Sequence, residues 1–315
     1  MRKLNYGLSK NKRKLNSYAN LALCILLWAS IPVATKKILL ELDSLQILFY
    51  STIFSTLVLG ILIVFQKKIT LLKRYNKSQY SIMFLLGFLG NYLYYIFLYG
   101  ALSKTTASEG FILAYTWPIM VLILSFIILK DMVTIQKILG ILISFFGIII
   151  ITTNGNIATF NLTNFQGDIL ALSGAFVFAL FSVLGKKYNF DKTISVFIYF
   201  LSALIFIIPT VLIFSEITFP SFKVWLWIIY NGVFVNGISY IFWFKALEDG
   251  ETHIVSNLLY LTPFISLIYI LIFLDEKILI SAVVGIVVIV VGVLSQYINI
   301  LRSINKKGIT GKRSL

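Results

Sequence analysis

ALSKTTASEGFILAYTWP, residues 101–118, returns 145 positions later as ALEDGETHIVSNLLYLTP, residues 246–263. Each stretch opens on Ala-Leu, passes a polar knot, enters an apolar run holding one Tyr, and closes on Pro. The same offset of 145 carries Gly87 onto Gly232, Asn91 onto Asn236, Tyr95 onto Tyr240 and Phe97 onto Phe242. Further on it carries Leu129 onto Leu274, Asp131 onto Glu276, Gly140 onto Gly285 and Gly147 onto Gly292. With a few residues of gap, Trp28 through Lys37 lies over Phe178 through Lys187. Isolated Gly or Pro matches arise by chance; an ordered series over about sixty residues marks two copies of one unit.

Composition says where those copies live. Hydrophobic residues make up 59% of the 315 residues and charged residues only 12%, against roughly half and a quarter in soluble domains. Apolar runs cover 18–35, 44–65, 80–102, 110–129, 138–153, 169–185, 193–214, 222–244, 254–274 and 278–301. Most reach the roughly 20 residues that cross a bilayer as a helix. The runs are continuous rather than alternating, which excludes a lipid-facing barrel. The expected fold is an all-α polytopic membrane protein of ten transmembrane helices. The first run follows a basic segment but continues through Trp28 and Pro32 with no small-x-small cleavage site, so it reads as a span and not a signal peptide. Cys24 is the sole cysteine, so no internal disulfide is expected.

The net charge of +15 is explained by topology rather than by nucleic acid, because cations collect on the cytoplasmic side beside anionic lipid. With a cytoplasmic N-terminus, 22 of the 27 Lys and Arg fall in cytoplasmic segments and 5 (Lys36, Lys37, Lys104, Lys223 and Lys277) outside. Ten spans then leave both termini cytoplasmic in the cell membrane.

Ten spans in two copies give five per copy. Five is odd, so the second copy must stand inverted in the bilayer relative to the first. Inverted-topology repeats are a transporter architecture, since two such halves can rock between outward- and inward-open states. The repeats are expected over 18–153 and 168–301, with basic cytoplasmic tails at 1–17 and 302–315. WASIPVATK, ALSKTTASEGFILAYTWPIMVLILSFIILKD and GILISFFGIIIIT in the first half resemble an EamA-type repeat of the drug/metabolite transporter superfamily. GAFVFALFSVLGKK, ALEDGETHIVSNLLYLTPFISLIYILIFLDE and GIVVIVVGVL repeat the pattern in the second. The resemblance covers nearly the whole chain. It implies a secondary transporter of small metabolites, an exporter of amino acids or similar amphipathic compounds, with a central cavity lined by the first, third and fourth helices of each half. Glu109 departs from the basic or small residue often found there in the family, so no inherited role attaches to it.

The residues themselves point to a polar but uncharged site. None of the twelve Asp and Glu falls at the middle of a span, where a proton relay would need one. His253, the one histidine, stands at the start of the ninth run and reads as a solvated helix start, with proton coupling as the rival reading. The spans do hold aromatic and amide groups. Trp28, Asn91, Tyr95, Tyr115 and Trp117 fall on the first, third and fourth helices; Asn236, Tyr240 and Tyr260 fall on their repeat mates. Asn91 and Tyr95 share a helix face, as do Asn236 and Tyr240. An amide facing lipid would be left unpaired, so both asparagines should face inward, either lining a cavity or bonding helix to helix. Tyr99 and Trp225, nearer span ends, read as interfacial belt.

Lys36, in the family's lysine position, could meet a substrate carboxylate or snorkel to the interface. Pro32, Pro118, Pro209 and Pro263 offer kinks. No cofactor or metal is expected, and the partners are a small-molecule substrate and the lipid bilayer; the sequence leaves the oligomeric state open. An integral-membrane enzyme would need a nucleophile–base or carboxylate pair inside, and a receptor or assembly protein leaves the repeat unexplained. No GxxxxGK[ST] is present, which argues against ATP-driven transport.

Overall fold

The computed structural model describes residues 2–102, 104–105, 113–156, 158, 164–274 and 280–295. Among them there is no strand, and eight helices are long and apolar enough to span a bilayer. They are helices 1 (Arg13–Ile38), 2 (Ser44–Phe65), 3 (Lys77–Leu98), 5 (Ile135–Thr152), 6 (Phe165–Lys187), 7 (Lys192–Phe214), 8 (Phe222–Asp249) and 9 (Thr252–Phe273). The shorter apolar helices Trp117–Leu129 and Val283–Ser295 are helices 4 and 10. Every expected apolar run therefore holds a helix where described, with turns at Ser30, Tyr115–Thr116 and Thr153. The basic N-terminal segment is helical too, since the first helix runs unbroken from Arg2 to Ala29.

Local chemistry sets the starts. Asp43 accepts from the Gln46 backbone N–H at 2.9 Å while the Gln46 side chain accepts from the Asp43 N–H, a capping box that begins helix 2. Asn76 and Gln79 make the same reciprocal pair at 2.9 Å ahead of helix 3. Asp191 caps helix 7 by accepting from Thr193 N–H and Ile194 N–H at 3.0 and 3.2 Å.

The core spans are irregular inside. Helix 1 breaks at Ser30 and restarts with Pro32 in the first turn of Ile31–Ile38. Helix 4 turns at Tyr115–Thr116 before Trp117–Leu124, where Pro118 occupies the first turn. Helix 9 passes from Thr252–Leu258 through the 3-10 turn Leu259–Leu261 into Thr262–Leu274, which Pro263 opens. Pro209 behaves differently and sits inside the continuous helix Lys192–Phe214. Helices 3 and 8 widen into π-turns at Phe88–Leu93 and Asn231–Ile238, and these carry Asn91 and Asn236. Such turns occur often at functional sites.

Small residues bring helices 5 and 10 together. A Cβ added to Gly147 would lie 2.6 Å from the Gly285 carbonyl, and one on Gly292 would lie 2.7 Å from the Gly140 carbonyl. Gly140 thus faces Gly292 and Gly147 faces Gly285, so the two helices run antiparallel. Ser144 Oγ donates to Gly140 O at 2.9 Å and reaches Ile289 O at 3.3 Å. In hydrocarbon such close backbone approach supplies the van der Waals contact that the hydrophobic effect does not.

Two latches tie the halves at opposite ends of the bundle. At one end Glu41 accepts from Ser221 Oγ at 2.6 Å and Ser221 N–H at 2.5 Å. These bonds, the hydroxyl first, hold the Glu41 carboxyl below its ordinary value. Beside them Ser215 donates to Asp43, and Gln46 to the Glu216 carbonyl. At the other end Lys68 Nζ lies 2.7 Å from Asp191, Thr193 Oγ1 donates to Gln66 at 2.9 Å, and Asp191 N–H donates to Tyr75 OH at 3.0 Å. Each latch centres on an aspartate that also caps a helix, Asp43 for helix 2 and Asp191 for helix 7.

Candidate functional site

Helices 1, 3, 4, 6 and 8 bring a cluster of rings to the middle of the core. Trp28 lies 6.2 Å from Phe178, 5.5 Å from Tyr240 and 5.7 Å from Trp243, centroid to centroid. Trp117 meets Phe178 and Trp243 edge-on at 5.2 and 6.0 Å. Tyr94 packs on Phe178 at 4.8 Å and on Tyr95 at 5.0 Å. Edge-on and tilted pairs of this kind place positive ring edges against negative faces. The indoles find hydroxyl partners: Trp28 Nε1–H donates to Ser239 Oγ at 2.8 Å and Trp243 Nε1–H to Ser182 Oγ at 3.3 Å. Ser239 in turn donates to the Val235 carbonyl.

Residues at matching positions of the two halves touch one another. Trp28 meets Phe178, and the Tyr95 and Tyr240 hydroxyls stand 3.5 Å apart. Tyr260 OH donates to the Tyr115 carbonyl at 3.1 Å, and Ser144 reaches Ile289. The Tyr115–Tyr260 bond joins the break in helix 4 to the break in helix 9, where a carbonyl is released from its own helix.

Trp117, Tyr240 and Tyr260 are buried, as are Asn91 (1% exposed) and Asn236 (6%). Trp28, Tyr95 and Tyr115 are half-buried. The rings pack against one another. Both polar atoms of Asn91 are buried without a hydrogen-bond partner, so the amide does not bond helix to helix in this conformation. Lys36 is exposed in the last turn of Ile31–Ile38. Glu109 and the side chain of Tyr99 lie outside the described residues. Trp225 is half-buried, its ring packed on Tyr50 at 5.1 Å and Phe54 at 6.0 Å, in a small core between helices 2 and 8.

His253 also corrects the sequence reading, being 2% exposed rather than solvated. Helix 1 covers the connection before it, with Ser17 Oγ donating to Ala246 O at 2.8 Å and Lys14 reaching Glu251 at 3.8 Å. Local sequence marks the start of a helix but not the neighbour that covers it. His253 Nε2 stands 3.5 Å from Glu251, which Lys137 approaches to 3.7 Å. Lys186 Nζ donates to Gly250 O and Thr252 Oγ1, both at 2.8 Å. One turn along, Asn257 is buried with both amide atoms unpaired. These polar groups gather at the end of the bundle that holds the helix 8–9 connection.

Phe178, Phe181, Ser182 and Ser239 were not anticipated as site residues. One signal was in the sequence: Phe178 is the repeat mate of Trp28. Helix 6 is also the most enclosed of the eight long spans, with 61% of its central window buried, which GAFVFALFSVLG permits through its small residues.

The comparisons with known proteins agree with this architecture. A solved crystal structure superposes with a TM-score of 0.79 over 91% of this chain and 98% of the other at 17% identity, which establishes the fold. An uncharacterized transporter of Archaeoglobus fulgidus is 27% identical over 82% of this chain and 89% of its own length. The uncharacterized transporter YyaM of Bacillus subtilis is 25% identical over 70% and 73%. The model of the EamA-like transporter family matches twice in succession, at residues 16–153 and 165–297. With one match on each half of a helical, membrane-spanning bundle, the chain belongs to the EamA-like transporter family.

Proposed function

We propose that the protein exports small amphipathic metabolites, amino acids or compounds like them, by alternating access between two inverted five-helix repeats. One observation carries this reading: repeat mates touch at the centre, and the helix 4 and helix 9 breaks meet there through Tyr260 and Tyr115. Self-contact of equivalent residues is what a two-fold axis between them produces. Antiparallel packing of helices 5 and 10 supports an axis in the membrane plane, and discontinuous helices at a repeat interface frame transporter binding sites. The family fits this reading, with transport rather than catalysis as the activity.

The site offers ring faces, phenol and serine hydroxyls and two amides. This suits a solute with an apolar or ring-bearing body and a small charged group, held by stacking and cation–π contact. The groups around His253 pack together at one end of the bundle, and on this reading export requires them to part. On this reading both termini are cytoplasmic and the membrane is the cell's own. Overexpression should raise tolerance to a toxic amino-acid analogue and lower its content in the cell. A rise in content would reverse the direction and make the protein an importer; no change with any amino acid would remove that substrate class.

A further inference from the structure

Helices 3 and 7 enter the bundle side by side from the end where Lys68 meets Asp191. Between them lies an apolar groove of about 670 Å3, walled by Phe84, Leu85 and Phe88 on one side and Ile198, Leu201 and Phe206 on the other. Phe206 closes the deep end against Phe88, 4.7 Å away, and Phe84, 5.8 Å away. Ser202 does not make the floor polar, since its hydroxyl donates to Phe84 O at 2.8 Å. The groove opens on the outer face of the bundle, where Leu85 is 54% exposed. From Ser81 to Phe88 it runs roughly 10 Å along the helix.

The mouth is polar and basic. Ser81 Oγ donates to Lys77 O at 3.0 Å, so Lys77 stands one turn above the groove. Tyr80 OH donates to Leu72 O at 2.6 Å and its ring meets Tyr75 at 6.0 Å, which fixes the turn carrying Lys73 and Arg74 over the opening. Lys73, Arg74 and Lys77 are exposed, and none makes an ion pair among the described residues, whereas neighbouring Lys68 is held by Asp191.

We propose that this groove and its basic rim bind one anionic phospholipid. An acyl chain lies along Phe84, Phe88 and Leu201, and the phosphate-bearing headgroup rests on Lys73, Arg74 and Lys77. Any apolar groove facing hydrocarbon will hold a chain; the three cations make this one selective, because a choline headgroup brings its own cation and an anionic one does not. The lipid would brace helix 3, which carries Asn91, against helix 7.

The test is intact mass spectrometry of the full-length protein in detergent with equal amounts of phosphatidylglycerol and phosphatidylcholine of identical chains. Wild type should retain the anionic lipid at least tenfold over the zwitterionic one, and up to about a hundredfold if all three cations meet the headgroup. K73Q/R74Q/K77Q should bring the ratio to about one, while K187Q/K245Q, two exposed cations elsewhere, should leave it unchanged. Leu201→Trp, which fills the groove, should reduce retention of both lipids. Equal retention by wild type, a preference that survives the triple change, or one lost equally in the control would overturn the site. Undiminished lipid in Leu201→Trp would overturn the position of the chain.

Discussion

Asn91 occupies a π-turn with both polar atoms buried and unpaired, an arrangement that costs about 1–3 kcal/mol when nothing compensates it. Leucine has nearly the same shape and no polar atoms to orphan. Asn91→Leu should therefore leave the thermal midpoint in detergent unchanged or raised, while transport falls at least tenfold if the amide meets solute when the core opens. A lowered midpoint would mean that the amide is paired in the folded protein. Unaltered transport would shift the site toward Tyr115 and Trp117. The amide pair was legible in the sequence, because an asparagine in a membrane span must face protein. That its amide is left unpartnered there was not, since this depends on which side chains of helices 6 and 7 arrive beside it. His253 was missed for the same reason, and its cover comes from residues more than two hundred positions away.

The seam between helices 5 and 10 leaves no room for a side chain at Gly147, Gly285 or Gly292. A Cβ on Gly285 would stand 2.7 Å from the Gly147 carbonyl and 2.5 Å from Ile151 Cγ1, so Gly285→Val overpacks backbone against backbone at a cost of about 1–3 kcal/mol. Gly60 faces only the Phe197 ring edge, at 3.4 Å. Gly60→Ala should be neutral or stabilising by up to about 1 kcal/mol through helix propensity. Thermal midpoints of the two variants in the same detergent check the contrast; equal midpoints would show that the seam can yield. The repeat offset singled out the same four glycines in sequence but matched Gly140 with Gly285 and Gly147 with Gly292, whereas the antiparallel seam sets Gly140 against Gly292 and Gly147 against Gly285. Helices were legible because apolar runs of bilayer length have no other backbone solution. The π-turns and the break at Tyr115 were not, for they follow from which carbonyls find partners across the bundle.

For the bundle as a whole, the cation distribution makes a prediction for every span at once. Reporter fusions after Lys77 and after Lys192 should read cytoplasmic, and one near Asn156 should read external; a cytoplasmic signal at Asn156 would sink the ten-span arrangement. The helical spans were open to sequence because apolar length is additive along the chain, whereas the ring cluster is a product of folding. If the halves are related as proposed, the touching repeat mates have a further meaning. In an inverted-repeat carrier the opposite open state is reached when each half adopts the other's present shape. A symmetric contact between equivalent residues is unchanged by that exchange, and a one-sided one still keeps its two residues side by side. The Tyr95–Tyr240 hydroxyl pair is of the first kind, Tyr115 with Tyr260 and Ser144 with Ile289 of the second, and together they form the still axle of the cycle. The latches at Glu41 and Lys68 and the polar groups around His253 lie away from it, where the same rotation sweeps through its largest distances.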